Sequence, residues 1–371
     1  MGAEYRLWLD NAPADQATIG RFGDIRVDQA IGVASEAELQ LPVATDPGGL
    51  WSGQEEDFTQ PLKRVRIEVK IGEGEFVPLI DGPIVANRLA LKATPDESTM
   101  TLVVHDDSVL LNRHEKVALF QDKAAHEIAE ALIAEAGLTP EVTAGPSGGS
   151  TLTRFVVQRG TAMQLLRQLA RQSGMFAYVR PGPTPGTSTA VFAPPSLAPG
   201  GLPEILLLGP DRNVASFAIE LDALRPVTAQ GASLDILDKS VLAAAANAAS
   251  QGPLGDEAIH DTLAEPGSVL LARSREEQGD IDAAAQAALD QSSWALSAEG
   301  EVDADRYAGV LSPYQVVSVA GVGGRMSGAY LVSRVTHLLS DAGYRQKFAL
   351  VRNARSAGGA GGAPAIPGGI I

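Results

Sequence analysis

The sequence predicts a protein of the α+β class that is mainly β, with two barrel-like antiparallel β domains and a small α/β module inserted between them. Near both ends of the chain, short segments alternate apolar and polar residues with a period of two, and turns marked by Gly or Pro separate them. Two stretches in the middle repeat apolar residues with the helical period instead. With 371 residues, the chain is long enough for several domains.

Residues 1–120 are predicted to form the first barrel-like domain. Its clearest strand is the one in which Val65, Ile67 and Val69 alternate with charged neighbours, so we expect one buried face and one solvent face. A turn at residues 72–74 follows this strand. The other strands predicted here are a pair within residues 22–41 and single strands at residues 76–80, 84–91 and 99–105.

Residues 121–195 are predicted to form the inserted α/β module, which contains two amphipathic helices. Asp122 is the predicted N-cap of the first helix and Gly137 ends it, while the second helix begins at Thr161 and ends at Gly174. Strands at residues 154–158 and 175–180 flank the second helix and make a β-α-β unit with it. Each helix has an apolar stripe that we expect in the core: Ala125, Ile128, Ala129, Leu132, Ile133 and Ala136 in the first, and Ala162, Leu165, Leu166, Leu169 and Ala170 in the second.

Residues 196–233 and 296–355 together are predicted to form the second barrel-like domain, with residues 234–295 as an insert and helix. In the insert, the Ala-rich residues 242–249 are compatible with either a helix or a mobile loop. Residues 274–294 predict a helix. The other assignments are strands at residues 204–208, 214–221, 226–230, 296–304, 314–319, 328–338 and 344–351, and a flexible Gly/Pro-rich tail at residues 356–371.

The composition disfavours several classes of function. A net charge of −16 disfavours binding to nucleic acid, because neutralising phosphates requires clustered Lys and Arg. There is no cysteine, and the five histidines are scattered without metal-binding spacing, so we expect no metal and no cofactor. The longest apolar runs fall short of a membrane span, so we expect no stable membrane insertion. The first ten residues do not resemble a secretion signal, and we expect the protein to be cytoplasmic during assembly.

Three short stretches suggest known catalytic motifs, but none of them meets all the requirements of its motif. Gly321-Val322-Gly323-Gly324 lacks the Lys and hydroxyl residue of a phosphate loop and is predicted to join two strands. His126 lacks the second histidine of a zinc-binding helix, because position 130 is Glu130. Ser147 is not predicted to be a nucleophile elbow, because Gly145-Pro146-Ser147-Gly148-Gly149 has the letters G-x-S-x-G but does not stand between a predicted strand and a predicted helix.

Two groups of carboxylates remain as candidates for chemistry. Asp106-Asp107 has the residue types to bind a hard cation or share a proton, although a turn after the preceding strand is the commoner use of such a pair. Glu276, Glu277, Asp280 and Asp282 are predicted to lie on a solvated helix face. We therefore predict no catalytic, cofactor-binding or metal-binding residues and no enzyme activity.

The order of these elements resembles the late control protein D family of phage tails, which includes the hub portion of VgrG spike proteins. Residues 125–138 and 155–179 are similar to its helix, strand, helix and aromatic-strand module. In residues 311–352, the motifs Ser327-Gly328-Ala329-Tyr330-Leu331-Val332 and Val335-Thr336-His337 are similar to its C-terminal pattern. The resemblance covers roughly residues 20–355, but residues 234–265 have no counterpart in the family pattern.

The resemblance implies a structural baseplate hub of a contractile tail or injection system. Such a hub is a homotrimer, and the two barrel-like domains of each subunit give six similar units that meet the hexameric inner tube, while the threefold axis meets a trimeric spike. We expect the spike to be a separate polypeptide, and we expect contacts with other baseplate components in a virion tail or injection particle. The alternatives are another β-rich assembly protein or a tail-associated cell-wall hydrolase.

Overall fold

The computed structural model describes residues 2–45, 48–53, 56–94, 97–145, 155–235, 238–263, 265–272 and 278–357. Short strands dominate this part of the chain, as the alternating sequence predicts. The five α-helices described are α1 (Gln16–Ile19), α2 (Ser108–Asn112), α3 (Ala125–Glu135), α4 (Ala162–Gln172) and α5 (Gln278–Ser292). The strands of the N-terminal half are β1 (Ala3–Leu9), β2 (Ala12–Pro13), β3 (Ile25–Ala30), β4 (Glu36–Pro42), β5 (Arg64–Ile71), β6 (Val77–Ala90), β7 (Thr99–His105), β8 (Glu115–Gln121), β9 (Thr139–Val142), β10 (Phe155–Thr161), β11 (Phe176–Pro181) and β12 (Ser188–Ala193). The later strands are β13 (Ile205–Leu206), β14 (Phe217–Leu221), β15 (Val227–Leu234), β16 (Val241–Ala246), β17 (Glu257–Ala258), β18 (Gly267–Ala272), β19 (Leu296–Asp303), β20 (Val316–Ala320), β21 (Gly328–Ser340), β22 (Gly343–Arg352) and β23 (Ala354–Arg355).

One sheet of thirteen strands runs through both ends of the chain, which confirms a mainly β fold built from antiparallel strands. Its main path is β14-β19-β22-β21-β3-β4-β7-β6-β5-β1-β2. The N-terminal and C-terminal strands meet where β3 pairs antiparallel with β21, with Val27 opposite His337. No sheet among the described residues closes into a barrel. The two barrels expected from the sequence are instead two regions of one open sheet, because β3 and β21 pair with each other.

The strands predicted for the N-terminal region form, with two corrections, but the sequence patterns did not predict β1, β2 and β8. The predicted pair is the β3–β4 hairpin, with Ile25 opposite Leu39. The strands predicted at residues 76–80 and 84–91 are one bent strand, β6, whose first half pairs with β5 and whose second half pairs with β7. Gly82 permits the bend, because a Cβ there would lie 1.9 Å from the carbonyl oxygen of His105.

The second correction concerns β5, which was expected to have one solvent face. Val65, Ile67 and Val69 are fully buried on one face, as predicted. On the other face, Arg66 and Glu68 are also buried, with exposed fractions of 2% and 4%. Charged residues at alternate positions therefore mark a second, polar interface and not a solvent face.

The two helices of the α/β module form as predicted, apart from the start of the first. Thr161 caps α4, since its hydroxyl accepts a hydrogen bond from the Gln164 N–H at 3.2 Å. The N-cap of α3 is Ala124 and not Asp122, because the Glu127 carboxylate accepts from the Ala124 N–H at 2.7 Å and thus supplies the cap. The apolar stripes of both helices share one buried cluster that includes Ile128, Ala129, Leu132, Ile133, Leu165, Leu166, Leu169, Ala170 and Phe192.

The prediction of a β-α-β unit around α4 is wrong. The strand before α4, β10, pairs antiparallel with β8 in a two-stranded ribbon. The strand after it, β11, pairs with β12, which in turn pairs in parallel with β9. The strands on either side of α4 therefore belong to different sheets.

In the insert, the Ala-rich segment forms strand β16 and not a helix. It pairs antiparallel with β15, while β18 pairs with β15 in parallel, and helix α5 packs on one face of this three-stranded sheet. Helix α5 lies within the segment where the sequence predicts a helix, and its core residues include Ile281, Ala285 and Leu289.

The chain is held by side-chain contacts up to the end of its described part. The Ser356 hydroxyl bonds to the carbonyl of Ser327 at 2.6 Å, and the Ala357 N–H donates to Asp256 at 2.7 Å. The predicted tail therefore starts two residues too early, and residues 358–371 lie outside the described residues. Within the part of the chain that the structure describes, no helix has the length and apolar character needed to cross a membrane.

Candidate interaction surfaces and buried polar junctions

The candidate pair Asp106-Asp107 is divided between two sets of partners. Asp106 is buried, and its carboxylate accepts hydrogen bonds from the N–H groups of Ser35 at 2.6 Å and Ser108 at 3.0 Å. Burial raises the pKa of Asp106. Asp107 instead forms a bidentate ion pair with Arg64, with N–O distances of 2.8 and 2.9 Å. Both carboxylates therefore stabilise the fold where β7 leads into α2.

The other candidates from the sequence are dispersed. Residues 321–324 connect β20 to β21, as predicted, and these strands pair antiparallel. His126 is half-buried on α3, and Asp282 is exposed and accepts from Gln278 at 2.9 Å. Ser147, Glu276 and Glu277 lie outside the described residues. Among the residues that are described, no three His, Asp or Glu side chains are grouped so that they could hold a metal ion.

Sequence reasoning missed a buried ionic junction, made of Arg64, Arg66, Glu68, Asp81 and Asp107. Arg66 donates to Glu68 at 2.7 Å and to Asp81 at 3.1 Å. Arg64 bridges Asp81, at 2.7 Å, and Asp107. Hydrogen bonds from Arg6 and Arg66 outweigh the effect of burial and lower the pKa of Glu68. Each of these carboxylates has an arginine partner, so the junction does not provide a free acid or base.

The ionic junction attaches the main sheet to the α/β module. Arg66 also donates to the carbonyl of Gly182 at 2.9 Å, and Asp81 accepts from the N–H of Gly186 at 2.9 Å. Both glycines lie in the turn between β11 and β12. The charged residues of β5 therefore recognise the backbone of this turn, and the sequence signal for the contact was their alternation with valine and isoleucine.

A neutral junction, made of Gln29, His337 and Tyr344, crosses the line where β3 meets β21. The two ring nitrogens of His337 bond to the Tyr344 hydroxyl at 2.7 Å and to the Gln29 side-chain oxygen at 3.0 Å. The Gln29 amide donates to the carbonyl of Leu79 at 2.6 Å. Burial lowers the pKa of His337 to about 3, so the imidazole is neutral at pH 7. The histidine of the Val335-Thr336-His337 motif thus joins the two regions of the sheet.

Tyr314 joins the C-terminal region to the α/β module. Its ring stacks on Tyr178, with centroids 3.7 Å apart, and meets the edge of Phe176 at 5.1 Å. Its hydroxyl accepts from the N–H of Gly32 at 3.0 Å, and burial raises its pKa. Tyr314 has a φ of +70°, an uncommon conformation for a residue other than glycine. These contacts attach the module to the sheet near the place where β3 and β21 meet.

Several parts of the main sheet have an edge that no described strand pairs with, among them β14 and the second half of β6. Strand β14 ends the sheet on one side. In β6, residues 86–90 pair with β7 on one edge, while the pairing with β5 is confined to residues 77–83. The same residues are exposed on both faces, and Leu89 has an exposed fraction of 45%. A free strand edge with exposed apolar residues is a surface on which another chain can add a strand.

The fold is shared with proteins of phage tails and type VI secretion. The chain is similar to the 43 kDa tail protein of prophage MuSo2 from Shewanella oneidensis (TM-score 0.60, 15% identity, 95% of this chain and 99% of that one). It is also similar to a tail protein from Neisseria meningitidis (TM-score 0.63, 12% identity, 95% and 97%). A third is the E. coli c3393 protein, described as a component of the type VI secretion system that resembles the T4 tail proteins gp27 and gp5 (TM-score 0.53, 11% identity, 91% and 76%).

The sequence also matches one family model. The Alg8 N-terminal domain family matches residues 21–341, and the chain belongs to this family. The family description states no activity, and it is a different family model from late control protein D. The likeness to tail proteins thus rests on the fold. No curated protein matches the sequence.

Proposed function

We propose that this chain is a structural hub subunit of a contractile tail or injection system, which joins the hexameric inner tube to the trimeric spike. The observation that carries the proposal is the main sheet. Two antiparallel runs of strands, β14-β19-β22-β21 from the C-terminal region and β3-β4-β7-β6-β5-β1-β2 from the N-terminal region, meet edge to edge in a fold shared with tail proteins over 95% of this chain.

The two runs of strands give the proposal its geometry. If residues 1–120 and residues 196–233 with 296–355 act as two similar units, three subunits present six units. Such a ring matches a hexameric tube on one side and a threefold spike on the other. The α/β module at residues 121–195 then sets the angle between the units, through the ionic junction and through Tyr314. We propose a homotrimer in contact with tube, spike and other baseplate components.

A structural role also agrees with how the polar side chains are used. The buried carboxylates of the ionic junction are paired with arginine, and the buried imidazole of His337 is neutral and bonded on both sides. Buried carboxylates and imidazoles that are paired in this way contribute to the fold and are not free for chemistry. We propose that the chain makes and breaks no covalent bond, assembles in the cytoplasm and ends in a tail or injection particle.

The free edge of β6 offers a test of the proposed assembly. We expect Leu89→Asp to reduce the yield of complete particles at least tenfold when it replaces the wild-type gene in producing cells, because a carboxylate would be buried against the neighbouring chain. Leu224→Asp is the matched control, since Leu224 is 90% exposed in a turn outside both edges. The melting temperature of each purified variant should stay within about 2 °C of wild type.

The possible results test two claims separately: that the β6 edge is a contact surface, and that the chain is a hub. Normal particle yield with Leu89→Asp would show that this edge is not a contact. Complete particles in cells that lack the gene, with tube and spike joined, would contradict the role of a hub.

A further inference from the structure

Within the described part of the chain, no helix or sheet covers one face of the three-stranded sheet of the insert. Helix α5 covers the inner face, where Ala229, Ala244 and Ala246 contact the helix residues Ile281 and Leu289. On the outer face, Val241, Leu270 and Leu234 have exposed fractions of 72%, 67% and 51%. The small residues Ala232, Ala243, Ala245 and Ala272 alternate with the inward-facing ones and complete this outer face, together with Thr228, Gln230 and Ser268.

The composition of this outer face sets it apart from the rest of the chain. None of the residues of β15, β16 and β18 is charged, whereas charged residues make up 20% of the sequence. An exposed apolar patch without charges is typical of a binding surface and costs solubility when it is left open.

The size of the face indicates what covers it. Three strands of about six residues measure about 14 by 20 Å, roughly 300 Å². A stable contact between two folded proteins needs about 800 Å² per partner, so this face alone is too small for a dimer of this chain. One α-helix is about 10 Å wide, and 20 Å corresponds to about 13 residues, so the face has the size of one helix.

The inner face shows how closely a helix can approach this sheet. A Cβ added at Gly231 would lie 2.4 Å from the Ile281 side chain, so the helix backbone lies close to β15. The outer face of the same strands carries alanines, which are nearly as small as Gly231 and allow a second helix to approach closely. From the size of the outer face and its lack of charge, we infer that it binds one α-helix of another polypeptide, which presents an uncharged stripe of small aliphatic residues.

Photocrosslinking tests this inference. A photoreactive benzoylphenylalanine is placed at Ala243, at Leu270 or, as the control, at the exposed Asp282 of α5, and the full chain is expressed in the cells that naturally produce it. We expect Ala243 and Leu270 to crosslink to one other polypeptide, at residues three, four or seven positions apart, since that spacing lies on one helix face. We expect Asp282 to give none of these crosslinks. Leu270→Lys should reduce crosslinking from Ala243 at least tenfold, while Asp282→Lys leaves it unchanged.

Other results would overturn the inference. Crosslinks to this chain itself would mean that a second copy or residues 358–371 cover the face. Crosslinked positions that alternate with a spacing of two would mean a strand, and no specific crosslink from either position would mean that the face is open. The test is independent of the proposed hub role, because a chain that is built into particles without these crosslinks would contradict this inference alone.

Discussion

The ionic junction and the neutral junction hold the main sheet in different ways. The ionic junction connects β5 with a turn 116 residues further along the chain, through buried arginines and carboxylates. The neutral junction connects β3 and β21 within the sheet, through an uncharged imidazole. Losing one member of a buried ion pair leaves an uncompensated charge already at neutral pH, whereas a buried neutral histidine weakens the fold only as the pH falls below the pKa of the unfolded histidine. The two contacts between distant parts of this chain should therefore respond to different perturbations.

The largest expected effect comes from breaking the ionic junction. Arg66→Met should lower the free energy of unfolding by about 3–5 kcal/mol, because the buried Glu68 and Asp81 each lose one of their two arginine partners and the carbonyl of Gly182 loses its donor. Denaturant unfolding at pH 7 measures this loss. The control is Arg345→Met, since Arg345 is 51% exposed beside Glu301 and should cost less than about 1 kcal/mol. Equal losses for the two variants would contradict the account of the junction.

A purely apolar contact provides the reference for both junctions. Leu166→Ala in α4 should cost about 2–5 kcal/mol, because Leu166 is only 2% exposed in the core of the α/β module. The matched control is Gln168→Ala, expected within about 0.5 kcal/mol, since Gln168 is exposed on the same helix. Arg167 is unsuitable as a control because it is half-buried and its Nε atom is buried. Unchanged stability of Leu166→Ala with a loss of assembly would mean that the stripe is a docking surface.

The neutral junction should make the free energy of unfolding depend on pH. Burial lowers the pKa of His337 to about 3, while an unfolded histidine titrates near 6.5. Between these values the unfolded state binds more protons, so stability falls as the pH decreases from about 6.5 towards 3. The slope reaches at most about 1.4 kcal/mol per pH unit. His337→Gln should remove this contribution, which urea unfolding from pH 8 to pH 5 measures, and a wild-type slope in the variant would contradict the assignment.

The same pH series separates the two junctions. The pKa of Glu68 is lowered by Arg6 and Arg66 against the effect of burial, so its contribution is complete above the unfolded pKa of about 4.5 and is lost only as the pH falls below it. Between pH 6.5 and 5 the ionic junction of the wild-type chain should therefore add nothing to the slope, and His337→Gln should reduce it.

The smallest effect is expected at the end of the chain. Removing residues 358–371 should leave the melting temperature within about 2 °C of wild type. Ending the chain at Ala354 instead removes Ser356, whose hydroxyl bonds to the buried Arg352 guanidinium at 2.9 Å, and should cost about 1–3 kcal/mol. Thermal unfolding of the two truncated chains measures the difference. A large drop for the shorter deletion would mean that residues 358–371 contribute to the fold.

The sequence predicted the elements whose signals are local. In α4, the cap at Thr161, the apolar stripe and the terminal Gly174 all lie within fourteen residues, and the structure confirms them. Strand β16 was missed because its sequence, VLAAAA, has high helix propensity, and only its pairing with β15 determines a strand. The ionic junction was missed because period-two alternation cannot distinguish water from a polar partner distant in sequence. The pairing of β3 with β21 was missed for a similar reason, since pairing between strands about 300 residues apart leaves no local pattern in the sequence.

Counting subunits tests the central claim most directly. Isotope-dilution mass spectrometry of purified particles gives the number of copies of this chain relative to the spike and tube proteins. The hub account predicts three copies per particle, equal in number to the spike chains and present whenever tube and spike are joined. Six or more copies per particle, or particles that join tube and spike without this chain, would contradict it.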